Sequence, residues 1–242
     1  ALVPTPRAAR ARGGLVEGFR YVLQRPDLRA LMLMICLMGT FGLNFPIFIS
    51  TMAVGVFHAG AHEYGLLTST MAIGSVAGAL LAARRQGPRM ALALAGAGVV
   101  GIGLAVASLM PSAWLFGLVL IAVGMAAQTF NITINSTVQL STTPAMRGRV
   151  MAILLAVMLG GTPIGAPIAG WIADTFGARW SLAMGSAAGF AALAVGLRYL
   201  VKYRGLRMSF EAGRPRLRLP LPGVPVLAVP ASTKAARSPS GE

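Results

Sequence analysis

Apolar positions in this chain gather into six long runs, at about residues 28–54, 65–83, 90–110, 113–139, 149–173 and 180–201. Each run is nearly free of charge. An α-helix of about 20 apolar residues spans the hydrocarbon core of a bilayer, so the pattern predicts six transmembrane helices joined by short connections. The fourth run carries one exception, the stretch "AAQTFNITINSTVQL" from Ala126 to Leu140. Wound at about 100° per residue, Gln128, Asn131, Asn135 and Gln139 fall within an arc of about 80°. A segment otherwise suited to lipid therefore lines one face with amides.

Composition agrees with the pattern. Hydrophobic residues make up 56% of the 242 and charged residues 11%, whereas a soluble domain carries about 25% charged residues. The net charge of +15 would suit nucleic acid, but its placement excludes that partner. With six spans, residues 1–27, 84–89, 140–148 and 202–242 lie on one side. Together with Arg29, Arg149 and Arg198 at adjacent helix ends, they hold every Lys and Arg except Arg179. The positive-inside rule makes that side cytoplasmic, with both termini inside and His58, His62, Glu63 and Asp174 outside. All the basic residues but Lys202 and Lys234 are Arg, a bias that suits a GC-rich bacterial genome.

The domain boundaries follow. Residues 1–27 form a basic segment whose "GGLVEGFRYVLQRPDL" predicts an amphipathic helix in the interface; without an apolar core it is not a signal peptide. Residues 28–201 form the six-helix membrane body. Residues 202–242, rich in Pro and basic residues, show no period and are expected to be disordered. Cys36 is the one cysteine, expected to be packed and inert, so no disulfide framework exists. Ala1 stands where Met would begin a chain, which fits processing or a piece of something longer.

Small residues recur four apart at Gly74 and Gly78, Gly161 and Gly165, and Gly185 and Gly189. Such pairs let helix backbones approach closely, so they are read as packing surfaces. Pro46, Pro163 and Pro167 each remove a backbone donor from a predicted span and are expected to bend it.

Four stretches carry a family resemblance: "EGFRYVLQRPDLRALM", "EYGLLTSTMAIGSVAGALLAAR", "STTPAMRGRVMA" and "GGTPIGAPIAGWIADTFGARWSL". Over about residues 13–205 the chain resembles the carboxy-terminal half of a major facilitator superfamily transporter, in the group around the enterobactin exporter. The resemblance implies a fold of two six-helix halves, each made of two inverted three-helix repeats, around a cavity that opens alternately to either side. It makes the spans here helices seven to twelve, with the first and fourth lining the cavity, and implies a partner in the missing amino-terminal six-helix half. The family's Asp-Arg-x-Gly-Arg loop lacks its Asp at Arg84 to Arg89, whereas Gly170, Asp174, Gly177 and Arg179 keep that pattern's spacing.

The candidate cavity residues are Gln128, Asn131, Asn135 and Asn44, with Gln139 assigned to the interface. An unsatisfied polar group in hydrocarbon costs several kcal/mol, so amides in a span must face water, solute or a neighbouring helix. Gly117, Ile121 and Gly124 extend the same stripe outward. Thr40 and Thr51 are expected to bond their own helix carbonyls. Arg147 and Arg149 are candidates for a cytoplasmic gate or for surface anchoring, and Asp174 and Arg179 for a pair across the outer turn. His58 and His62 are read as solvated, so no metal site is assigned. No Asp, Glu, His, Lys or Arg lies deep in a span, which leaves no proton relay here.

These residues predict a multi-pass secondary transporter that moves a small organic solute across the bacterial inner membrane, outward by the resemblance. It would have no cofactor and no catalytic residue. An importer of the same fold, and a non-transporting subunit or remnant of a split gene, are the alternatives. An enzyme is disfavoured because no paired acids, Ser/His/Asp set or His cluster lies at membrane depth. Reporter fusions at Gly60 and Gly87 should report opposite compartments, Gly60 outside; both on one side would end the six-span topology.

Overall fold

The computed structural model describes residues 14–84, 87, 90–204, 207–211 and 214–218. Among these residues eight α-helices run in order: α1 Gly14–Gln24, α2 Pro26–Leu37, α3 Phe45–Gly55, α4 Ala61–Ala83, α5 Met90–Ser108, α6 Ala113–Ser141, α7 Pro144–Phe176 and α8 Ala178–Arg204. Six segments are long and apolar enough to cross a bilayer. Span one joins α2 and α3, and spans two to six are α4 to α8. The described body is thus an all-helical bundle of six candidate membrane spans.

Spans two and five start four and five residues earlier than the apolar pattern predicts, and local chemistry explains both. Glu63 sits in the first turn of α4 and its carboxylate accepts the Gly60 N–H at 2.9 Å, which extends that helix to Ala61. Pro144 occupies the first turn of α7 behind an extended Thr143, a position where a missing N–H costs nothing. Arg147 is thereby helical rather than part of a loop.

Span one is broken where Pro46 demands it. Proline cannot donate to the carbonyl four residues back, here that of Gly42. A π-turn over Met38–Gly42 precedes the break, and the Leu43 N–H reaches the Met38 carbonyl at 2.8 Å. The Asn44 side chain donates to the Thr40 carbonyl at 2.6 Å, and α3 restarts at Phe45. Side-chain and π-type bonds thus satisfy backbone that hydrocarbon would leave stranded. Pro163 and Pro167 lie inside an uninterrupted α7.

The spans associate through their glycines. Gly74 and Gly78 of span two lie against the backbones of Ile121 and Met125 of span four, where a Cβ on Gly78 would sit 2.6 Å from a carbonyl oxygen. Gly161 and Gly165 of span five lie in the same way on Thr40 of span one. Each pair is parallel, because alternate spans run the same way, and the two pairs run oppositely. One packing device is therefore used twice in inverted repeats. Gly189 of span six meets Gly101 of span three, with a Cβ placed 2.7 Å from the Gly101 Cα. All three glycine pairs serve as the packing surfaces the sequence predicts.

Trp114, Trp171 and Trp180 are 82%, 60% and 64% exposed, and all three sit at the end of the body opposite α1. Tryptophan favours the membrane interface, so they mark one interfacial level; the α1 end is called the basic end below. Cys36 corrects an expectation, since it is exposed rather than packed. It lies three positions after the exposed Leu33, one helical turn on, and an apolar thiol can face lipid at such a position.

From Leu200 the chain forms a second unit. The expectation of disorder for residues 202–242 is corrected at two places: α8 continues to Arg204, and β1 Arg207–Glu211 pairs antiparallel with β2 Arg214–Arg218. Arg207 lies opposite Arg218, and Glu211 opposite Arg214. Within each strand, polar and apolar residues alternate, a period of two that the Pro-rich composition obscures. Residues 219–242, like residues 1–13 at the amino end of the basic segment, lie outside the described residues.

Gly165→Ala should destabilise the purified protein by about 1–3 kcal/mol, the range for overpacking, because its Cβ would strike the Thr40 carbonyl. Gly160→Ala, with nothing within 4 Å of the new Cβ, should leave thermal unfolding in detergent unchanged. Equal shifts for the two variants would refute the crossing.

Candidate functional site

Span four divides the predicted polar stripe in two. Its first half is a packing surface, not an open wall: Gly117 meets Leu67 and Thr70 of span two, and Gly124 meets the Met71 carbonyl and Ser75. Small residues there admit a neighbouring backbone, which closes the face. This corrects the outward extension of the stripe. Its second half is different. Gln128, Asn131 and Asn135 remain half-exposed, while Phe130, Ile134 and Val138 on the adjoining flank are fully buried.

The amides do not bond to other helices. Asn135 Nδ2 donates to the Asn131 carbonyl at 2.9 Å and to Asn131 Oδ1 at 2.7 Å, both on its own helix. Gln128 makes no hydrogen bond among the described residues. Thr133 and Thr137 bond the carbonyls of Thr129 and Thr133. Gln139 is exposed at the helix end, and its carbonyl accepts from Arg147 Nε at 3.1 Å.

Two further side-chain hydrogen bonds join spans among the described residues, and both come from serines that the sequence reading did not single out. Ser181 of span six donates to the Ala169 carbonyl of span five at 2.9 Å, and Ser186 donates to the Gly101 carbonyl of span three at 2.7 Å. Both serines are at most 5% exposed. Their signal was available: Ser186 adjoins Gly185 in a span built of small residues.

Asn44 corrects another expectation. It is 3% exposed, bonded across the break in its own span, and its Nδ2 lies 2.9 Å from where a Gly165 Cβ would be. The need to satisfy the Thr40 carbonyl draws it inward, so it does not share the open face with Gln128. Thr51, as its type suggests, bonds the Ile47 carbonyl at 2.8 Å.

At the basic end, Arg149 forms an ion pair with Glu17 of α1. Arg25 pairs with Asp27, reaches Tyr21 Oη at 3.1 Å, and donates to the Ser141 carbonyl at 2.7 Å. The hydrogen bond to Asp27 holds the Arg25 guanidinium above its ordinary pKa. Burial pushes the Tyr21 phenol up, but bonds with Arg25 and Thr143 outweigh it and hold the phenol below its ordinary value. At the opposite end, Asp174 and Arg179 are exposed, and no ion pair joins them. His62 and Glu63 border a groove of about 490 Å³ between spans two and four, lined also by Leu66, Thr70, Trp114 and Leu118. Among the described residues no group of three or more His, Cys, Asp or Glu could hold a metal.

The family model described as Major Facilitator Superfamily matches residues 4–238. No curated protein matches the chain.

The two kinds of polar residue should separate by stability. Ser186→Ala should lower unfolding stability by about 0.6 kcal/mol, the mean for membrane hydrogen bonds, and by at most about 1.7. Gln128→Leu, which removes no bond, should not lower it. Reversed effects in denaturant titrations of the purified protein would overturn the division.

Proposed function

We propose that this chain, which belongs to the Major Facilitator Superfamily, supplies the polar wall of a solute cavity, with Gln128, Asn131 and Asn135 as the groups that meet the solute. The family and the six spans make it a multi-pass secondary transporter. The observation that carries the cavity reading is Gln128, half-exposed on a membrane helix with no hydrogen-bond partner among the described residues. An amide so placed costs several kcal/mol against hydrocarbon and little against water. Asn135 keeps its carbonyl oxygen, and Asn131 its Nδ2, for a solute or for water.

The substrate we infer is a small organic solute able to bond amides while lying against apolar walls, and the direction is outward. A matching amino-terminal six-helix half closes the cavity from the opposite side. The basic end faces the cytoplasm of a bacterial inner membrane, because the Lys and Arg residues gather there. Arg147 and Asp174, free of ion pairs among the described residues and exposed on this half, are the groups available for gating contacts with the other half; Arg179 stands with Asp174. Arg149 already has Glu17.

Single cysteines at Gln128, Asn131 and Asn135, on a Cys36→Ala background in the assembled transporter, should react with a membrane-impermeant thiol reagent. Cysteines at Phe130, Ile134 and Val138 should not. Asn131→Leu should reduce transport severalfold while membrane insertion stays normal. Unreactive amide positions together with normal transport by Asn131→Leu would sink the cavity reading.

A further inference from the structure

Helix α1 has three sectors rather than two. Gly18 and Val22 are buried, and Gly18 lies against span five, where a Cβ would be 3.0 Å from Ile153 Cδ1 and 3.2 Å from Arg149 Cβ. Glu17, Arg20, Tyr21 and Gln24 make a polar sector. Between them Leu15, Val16, Phe19 and Leu23 occupy an arc of about 100° at helical spacing, and no described residue buries them. They are 66%, 77%, 54% and 56% exposed. Leu15 and Phe19 also border an apolar groove of about 330 Å³ whose other wall is Ala152, Ile153, Ala156 and Val157 of span five.

A helix with one sector on protein, one polar and one apolar lies naturally in the plane of a membrane interface. The position of α1 fits that plane. Arg25 and Pro26 link it directly to span one, and the groove continues onto the face of span five. The charge around it is also one-sided. The acids of α1 and of the start of span one, Glu17 and Asp27, are already paired, whereas Arg20, Arg29 and Arg84 are exposed and form no ion pair among the described residues. Basic side chains beside an interfacial apolar sector attract anionic headgroups.

We propose that α1 is a binding surface for anionic phospholipid: Leu15, Phe19 and Leu23 enter the acyl region, an acyl chain fills the groove on span five, and Arg20 and Arg29 meet the headgroups. Glu17 to Arg149 and Arg25 to the Ser141 carbonyl then fasten the junction of spans four and five to the lipid surface. The inference is independent of the solute and of the cavity, since it uses only membrane residence and the α1 surface.

The full chain is purified on a Cys36→Ala background, spin-labelled singly, and placed in phosphatidylcholine vesicles with or without phosphatidylglycerol. Labels at Leu15, Phe19 and Leu23 should meet dissolved oxygen severalfold more than a water-soluble nickel chelate. Labels at Arg20 and Gln24 should show the reverse, and phosphatidylglycerol should deepen the first set. Arg20→Gln with Arg29→Gln should remove the effect of phosphatidylglycerol while leaving the labels in their sectors. Nickel access at Phe19 equal to that at Gln24 would overturn the proposal. So would shielding of Phe19 from both reagents, which would mean that protein covers the sector, and so would identical depths in both lipids. A label at buried Val22 that remains immobile shows that α1 is still docked in each case.

Discussion

Close approach of helix backbones at glycine is the interaction on which this structure rests. In lipid, apolar side chains gain nothing by leaving hydrocarbon for a helix interface. What remains is packing at short range and hydrogen bonding in a medium that supplies no water. Gly78 on the Met125 carbonyl and Gly165 on the Thr40 carbonyl give the first, at distances only a residue without Cβ permits. Ser186 on the Gly101 carbonyl gives the second, at the crossing where Gly189 meets the same residue. Glycine is not required everywhere: Gly160 and Gly170 would accept a Cβ freely.

That packing decides which polar groups stay open. Span two closes on the first half of span four through Gly117 and Gly124, so the amides that could remain free begin at Gln128. Span five closes on span one at Thr40, and that contact surrounds the break which Pro46 imposes. Asn44 is drawn into the break and serves the backbone. Two amides of one residue type, Asn44 and Asn131, thus take opposite roles because one lies where backbone is stranded and the other where a helix is intact.

The six spans and their glycine pairs were legible in the sequence because length, hydropathy and small-residue spacing are local properties. The residues 144–148 were less legible, since an apolar pattern cannot see that Pro144 and Thr143 begin a helix before the apolar run does. Asn44 and the stripe from Gly117 to Gly124 were misread for one reason: a helical face is computable from spacing, but its occupant is not. Cys36 shows the converse. Burial in a sequence of this composition means burial in lipid as readily as burial in protein, so an apolar thiol is no guide to the interior. The serines of span six were within reach, because an isolated hydroxyl in a small-residue span has few partners except a neighbouring carbonyl.

The amide face sets a requirement on whatever surrounds the six helices. Hydrocarbon along all of it would leave Gln128 wholly unsatisfied and the Asn131–Asn135 pair partly so, at several kcal/mol for each stranded group. A membrane hydrogen bond between helices contributes only about 0.6 kcal/mol on average, so no single serine bond elsewhere offsets that burden. The face must therefore meet water, a solute or a polar partner, whereas Leu33, Ile102 and Val76, exposed elsewhere on the body, can meet lipid without cost. One side of the bundle is built for hydrocarbon and another cannot be. That asymmetry, more than any single residue, is what the proposed solute cavity rests on.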